Sequence, residues 1–169
     1  LISVKSTADG NTYIVRNLPD KVAAANLLAH VRKNLMIVVE YMYTKYPDDE
    51  RVQFMHHNFN ADAISESLPY AGYTSYSVNK GEKINFCVRQ RDSTNSLVDN
   101  NTIMFVALHE LAHLMTKSIG HEQEFWDNME FLLKNIMESN LNIINYVPYH
   151  KKPQEYCGTS ITDTPYRNP

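Results

Sequence analysis

The spacing of apolar positions changes several times along the chain, and each change marks an element. Ile2 and Val4 alternate with polar neighbours, Asp9-Gly10 is a turn pair, and Tyr13-Ile14-Val15 resumes a strand, so residues 1–18 predict a hairpin. After Pro19 the period lengthens. Val22, Ala25, Leu28, Val31, Leu35, Val38, Met42 and Tyr46 recur at helical spacing. They predict a helix over 20–46, with Asp20 as N-cap and Pro47-Asp48 as its stop. Residues 50–57 suit a short helical turn. Residues 58–72, with Asn58, Asn60, Asp62, Pro69 and Gly72, read as a loop. A second hairpin follows: Tyr73 to Val78, the turn Asn79-Lys80-Gly81, then Glu82 to Arg89. Residues 91–100 are polar and read as a loop.

The next helix starts at Asp99 or Asn100, either of which can cap it. It runs through Ile103, Val106, Ala107, Leu111 and Leu114 and stops before Gly120, glycine being the usual residue past a helix end. A further helix over about 122–139 places Phe125, Met129, Leu132, Leu133 and Ile136 on one face. The tail from 145, rich in Pro and Tyr, reads as extended or irregular. The expected fold class is α+β. A small, mostly antiparallel sheet packs on the long helix 20–46, with helix 101–118 and the helix after Gly120 beside it.

Composition narrows the function classes. A chain of 169 residues suits a single domain over 1–169. With 43% hydrophobic and 21% charged residues it resembles ordinary globular proteins. A net charge of −3 leaves no global footprint for nucleic acid. Two cysteines, Cys87 and Cys157, are too few for a disulfide framework or a four-cysteine zinc site. They fit a reducing compartment, cytoplasm or nucleus, although one bridge stays open as an alternative. No apolar run approaches membrane-spanning length and no signal peptide is visible. The chain opens on Leu1 rather than Met, which leaves room for a missing N-terminal segment.

One segment carries chemistry. His109-Glu110-Leu111-Ala112-His113 is HExxH. Residues four apart share a helix face, so both imidazoles can reach one ion. Such an ion lowers the pKa of a water towards about 7, and a neighbouring carboxylate can take its proton. Glu110 is that carboxylate. A catalytic zinc needs a third protein ligand and an open position. His121, directly after Gly120, is the first candidate, with Glu122 or Glu124 as alternatives. The glycine and third histidine of the metzincin pattern come sooner than here. An oxyanion donor is sought among Tyr149, His150 and Tyr156 in the tail.

His109-Glu110-Leu111-Ala112-His113, a short loop, then His121-Glu122-Gln123-Glu124-Phe125-Trp126 resembles the WLM branch of the SprT-like metallopeptidases, which reads HELAH, a short spacer, then H-x-x-x-F-W. The likeness is close over 109–126. It extends loosely to the hairpin before the helix and to Tyr156-Cys157-Gly158. It also takes in the WLM-like proteins of large DNA viruses, which makes a virus-encoded protein an expectation. The spacer before His121 is longer than in the cellular form. The resemblance implies a zincin-like fold, Zn2+ on His109, His113 and His121, and Glu110 as catalytic residue. Tyr156 becomes the preferred oxyanion donor. The resemblance further implies a cleft strand, here residues 83–89, that pairs with a peptide substrate. Cellular members degrade proteins, including DNA-crosslinked ones, and bind ubiquitin-like modifiers through additional segments, none of which is visible here.

The expected function is hydrolysis of peptide bonds in proteins by a zinc metalloendopeptidase, with DNA-associated proteins among the substrates. The alternative is a non-catalytic, zinc-stabilised protein- or DNA-binding module. Phe125 and Trp126 are expected to pack under the metal loop. Cys157 is expected to be a buried, inert thiol rather than an inhibitory zinc ligand. His56-His57 reads as surface and His30 as a boundary residue. Lys80, Lys83, Arg89 and Arg91 cluster around the second hairpin. A solvated strand face explains them, and contact with DNA phosphates is the alternative.

Overall fold

The first hairpin pairs β1 (Ile2–Lys5) with β2 (Thr12–Val15), placing Val4 opposite Tyr13 and Ile2 opposite Val15. Val4, Tyr13 and Val15 are buried, so the period-two alternation turns one face of the ribbon inward. Helix α1 (Lys21–Lys45) covers that face, with Leu28, Val31, Leu35, Val38 and Met42 fully buried. By length and composition α1 reaches membrane-spanning size, against the expectation that no apolar run does. Its apolar content is accounted for by packing in the core.

Asp20 precedes α1 but makes no side-chain cap bond. Its carboxylate pairs with Arg89 instead. A charge-assisted bond to a buried guanidinium outcompetes a bond to a helix amide that water can also satisfy.

The computed structural model describes residues 1–68 and 75–167. Helix α2 (Glu50–Asn58) is capped by Asp49, whose carboxylate accepts from the amides of Arg51 and Val52. The segment expected to be a loop then forms a 3-10 turn (Ala61–Ala63) and a strand, β3 (Ile64–Glu66). β3 pairs parallel with β5 (Lys83–Phe86), which pairs antiparallel with β4 (Ser75–Val78). The strand order is β3-β5-β4. Tyr73 and Thr74, at the expected start of the β4 strand, lie outside the described residues.

Gly81 closes the turn between β4 and β5 at φ +114°, and a Cβ there would meet the Asn58 carbonyl oxygen at 2.2 Å. Only glycine permits the turn to press this close to the end of α2.

Helix α3 (Asn100–Met115) is the most enclosed element. Asp99 caps it, accepting from the Thr102 amide and hydroxyl. Residues from Thr102 to Leu108, then Glu110, Leu111, Ala112, Leu114 and Met115, are all buried. A helix apolar on every side belongs at the centre of a fold, and α3 packs against α1, α2, β4 and α4 (Gln123–Met137). It ends at Met115 with Thr116 as an extended C-cap, so Gly120 does not terminate it as expected. Gly120 lies inside the following loop at φ +92°.

The tail is more ordered than expected. β6 (Gln154–Tyr156) and β7 (Thr159–Ile161) form a hairpin. Cys157, at its turn, is bonded to Cys87 just after β5. The inert free thiol is thereby corrected: two cysteines 70 residues apart form one disulfide. The cysteine count therefore lends no support to a reducing compartment.

Candidate metal centre

Because α3 is helical from Asn100 to Met115, His109 and His113 sit one turn apart on the same face. The loop 116–122 then returns His121 to them. Its Nε2 lies 3.1 Å from Nε2 of His109 and 3.2 Å from Nε2 of His113. These two separations also satisfy hydrogen-bond geometry. Two ligand nitrogens on a tetrahedral zinc, each at about 2.0–2.1 Å, stand about 3.3 Å apart. All three donor atoms fall within 4.8 Å of one another, so the set suits one ion better than a chain of hydrogen bonds. Glu122 and Glu124, the alternative third ligands, are not in this group. Glu122 occupies the N-cap position of α4 and Glu124 meets the Ser118 hydroxyl at 3.4 Å.

Aromatic residues brace the loop. Phe125 is fully buried and stacks on the His113 ring at 4.2 Å. The Trp126 indole donates to the His121 carbonyl at 3.1 Å. Lys80, from the β4–β5 turn, donates through Nζ to the carbonyls of His113 (2.9 Å) and Ser118 (2.8 Å). Below the helix, buried Asn128 donates to the Thr116 hydroxyl at 2.8 Å and accepts from Arg51 at 3.2 Å. The Thr116 hydroxyl donates in turn to the Ala112 carbonyl. Sequence reasoning missed Lys80, Thr116 and Asn128 as supports, because nothing in their local pattern shows which carbonyl they meet.

Burial sets the electrostatics. It pushes the His109 imidazole down to about 3, helped by the charges of His113 and His121. It takes His113 down to about 4, helped by His121 and Lys80. Both rings are therefore neutral at physiological pH, the state a metal requires. Glu110 is 4% exposed, and burial pushes its carboxyl up to about 7. A dication on the histidines would favour the carboxylate and pull that value down.

Glu110, His109 and His121 line a cavity of about 600 Å³, together with Tyr156 and residues 159–163 of the C-terminal hairpin. Tyr156 thus reaches the site, but its hydroxyl donates to the Cys87 carbonyl at 2.7 Å and contacts the Ser75 hydroxyl at 2.6 Å. Its one proton is engaged there, tying the hairpin to the sheet. Tyr149 and His150 do not line the cavity. Tyr149 is buried edge-on against Phe105.

Two further expectations are corrected. β5, within residues 83–89, is the central strand with both edges paired, so it has no free edge for a peptide. Among the described strands β3 and β4 are the two edges, and Ser75 at the start of β4 lines the cavity. The basic cluster is also dispersed. Arg89 is 2% exposed and bonded to Glu66 at 2.9 Å. Lys80 is held by carbonyls, and Arg91 donates to the Leu68 carbonyl at 3.3 Å. Lys83 remains exposed. Elsewhere, His56 meets Glu40 at 3.3 Å and His30 meets Asn34 at 3.2 Å.

The profile of the WLM domain family matches residues 8–167. The chain belongs to the WLM domain family. The match to this peptidase-like family runs through both the HExxH helix and the hairpin that lines the cavity. An uncharacterized protein of Acanthamoeba polyphaga mimivirus is 33% identical over 166 residues, covering 95% of this WLM chain and 82% of its own length. An uncharacterized protein of Invertebrate iridescent virus 6 is 26% identical over 99 residues, 58% of this chain and 53% of its own. One from Invertebrate iridescent virus 3 is 47% identical over 51 residues, 30% and 31% of the two chains. All three come from large DNA viruses, in keeping with the viral branch of the WLM proteins. No solved structure matches the chain.

Proposed function

We propose that this WLM protein is a zinc-dependent metallopeptidase that hydrolyses peptide bonds in protein substrates, with a zincin-like site. The observation that supports it is the conjunction of three converging histidines, two of which line one open cavity together with a buried carboxylate. A structural zinc is usually closed by four protein ligands. Among the described residues the group holds three, and Cys157 is committed to a disulfide. That favours a catalytic site over a zinc-stabilised binding module.

His109, His113 and His121 would hold the ion, which supplies Lewis-acid polarisation of the scissile carbonyl and of water. Glu110 takes a proton from the attacking water on its carboxylate and returns it to the leaving amine. Its enclosure keeps that proton from exchanging freely with solvent. β4 offers an edge on which an extended peptide can be laid by backbone hydrogen bonds beside the histidines. Three of the four candidate DNA-contacting side chains are occupied within the protein, which favours free proteins over DNA-linked ones as substrates.

The test is Glu110→Gln. The zinc-loaded wild type should generate new N-termini in an undigested protein mixture. The variant should bind zinc stoichiometrically and lose at least about a hundredfold in cleavage. Undiminished cleavage by the variant would defeat the mechanism.

A further inference from the structure

The cavity continues past the catalytic carboxylate. Phe105 and Val106 line it one helical turn before His109, so this stretch begins about 5 Å along α3 from the first metal ligand. Met129 of α4 and Ile161 of β7 line it as well. Phe105 is fixed edge-on to Tyr149, with ring centroids 4.8 Å apart. Apart from His109, Glu110, His121 and Tyr156, the ionisable side chain on the lining is Asp163, which is paired with Arg167 at 3.0 Å. No lysine or arginine lines the cavity among the described residues. A substrate carboxylate would find hydroxyls there but no cation to pair with, whereas an apolar side chain would exchange water for the walls formed by Phe105, Val106, Met129 and Ile161.

One wall is held in place from a distance. The hairpin that carries Ile161 pairs only within itself among the described strands. It is fastened by the Cys87–Cys157 bond, by Tyr156 to the Cys87 carbonyl, and by the Cys157 amide to Gln90 Oε1 at 2.9 Å. Three attachments to the segment after β5 give a short hairpin a defined position over the cleft.

We propose that this stretch of the cavity is a specificity pocket for a bulky, uncharged side chain, such as leucine, methionine or phenylalanine, on a residue flanking the scissile bond. Ile161 is the residue that sets its size. The proposal rests on the peptidase reading above and names the substrate class for that same site.

The pocket is tested in two ways on the zinc-loaded protein. First, the residues on either side of each cleaved bond are read by mass spectrometry from a digested protein mixture. Large apolar residues should be enriched at least about tenfold over alanine and glycine at one of the two positions, the scale expected for a hydrophobic pocket. Ile161→Trp should move that preference to small residues, and Ile161→Asp should move it towards lysine and arginine. A flat profile, or one unchanged in both variants, overturns the pocket while leaving hydrolysis intact.

Second, dipeptide hydroxamates with an isobutyl, methyl or carboxymethyl side chain are titrated by calorimetry, which needs no turnover. The isobutyl probe should bind at least about tenfold more tightly than the other two, and Ile161→Trp should erase that difference. Equal affinities overturn the proposal. If no bond is cleaved in any sample, the hydrolytic reading fails, and the hydroxamate series alone then decides the pocket.

Discussion

Lys80 donates through Nζ to the backbone carbonyl of His113 at 2.9 Å, joining the β4–β5 turn to the last turn of the helix that carries the metal site. A second bond, 2.8 Å to the Ser118 carbonyl, holds the loop that brings His121 back. The His113 carbonyl also accepts from the Thr116 amide at 3.2 Å, and because the last carbonyls of a helix carry partial negative charge, an ammonium group there is favourably placed.

Lys80→Met keeps the aliphatic stem and removes the donor. It should weaken zinc binding by about tenfold or more, the scale seen when groups that orient metal ligands are lost. Competition against a chromogenic chelator measures this. An unchanged affinity would show that His121 holds its place without the lysine.

The Cys87–Cys157 bond closes a loop of about 70 residues. Its reduction should lower the unfolding free energy by about 4 kcal/mol on the chain-entropy account. It should also release the C-terminal hairpin. Hydrogen exchange followed with and without a phosphine reductant should show faster exchange over 154–161 while α3 stays protected. Equal exchange in both states would mean that Tyr156 and Gln90 alone secure the hairpin.

The metal-free protein should show a definite pH dependence. His109 and His113 are depressed from 6.5 to about 3 and about 4, so they favour the folded state above about 6.5, and that contribution is lost as the pH falls. Glu110 is raised from 4.5 to about 7 and acts in the opposite sense, favouring the folded state below about 4.5 and losing that contribution as the pH rises through 7. Between these limits the unfolded chain binds protons on two imidazoles that the folded chain lacks, and the folded chain binds one on Glu110. Stability should therefore rise with pH from about 4.5 to about 6.5, and rise more steeply in Glu110→Gln. Denaturant titrations of the metal-free proteins across that window measure both slopes. A flat or falling profile in the wild type would contradict the burial of the two histidines.

The elements with a local signature were legible from the chain. The apolar period from Val22 to Tyr46, read as a helix over 20–46, marks α1 within a residue at each end, and Asp99 caps α3 as its side chain suggests. β3 was missed because a strand of three residues between Asp62-Ala63 and Ser67 has no period to detect, and it forms by pairing with β5. The β6–β7 hairpin was missed for a similar reason, being fastened to the rest of the fold by Cys87 and Gln90. Asp20 carries a cap signature and is drawn off by Arg89, which is 69 positions away in sequence.

The amino-acid sequence by itself determined the helix that presents His109 and His113, because four-residue spacing on an α-helix is a property of backbone geometry over one turn. It also marked Glu110 as the carboxylate between them. Sequence made His121 the first candidate for the third position, and tertiary structure decided that it, rather than Glu122 or Glu124, meets them. Tertiary structure alone decided that β4 rather than β5 lies at an edge among the described strands, and that a disulfide-tethered hairpin walls the cavity. Those outcomes depend on which surfaces pack and which distant groups are desolvated together. Such choices are made by contacts across tens of residues and leave no period in the chain.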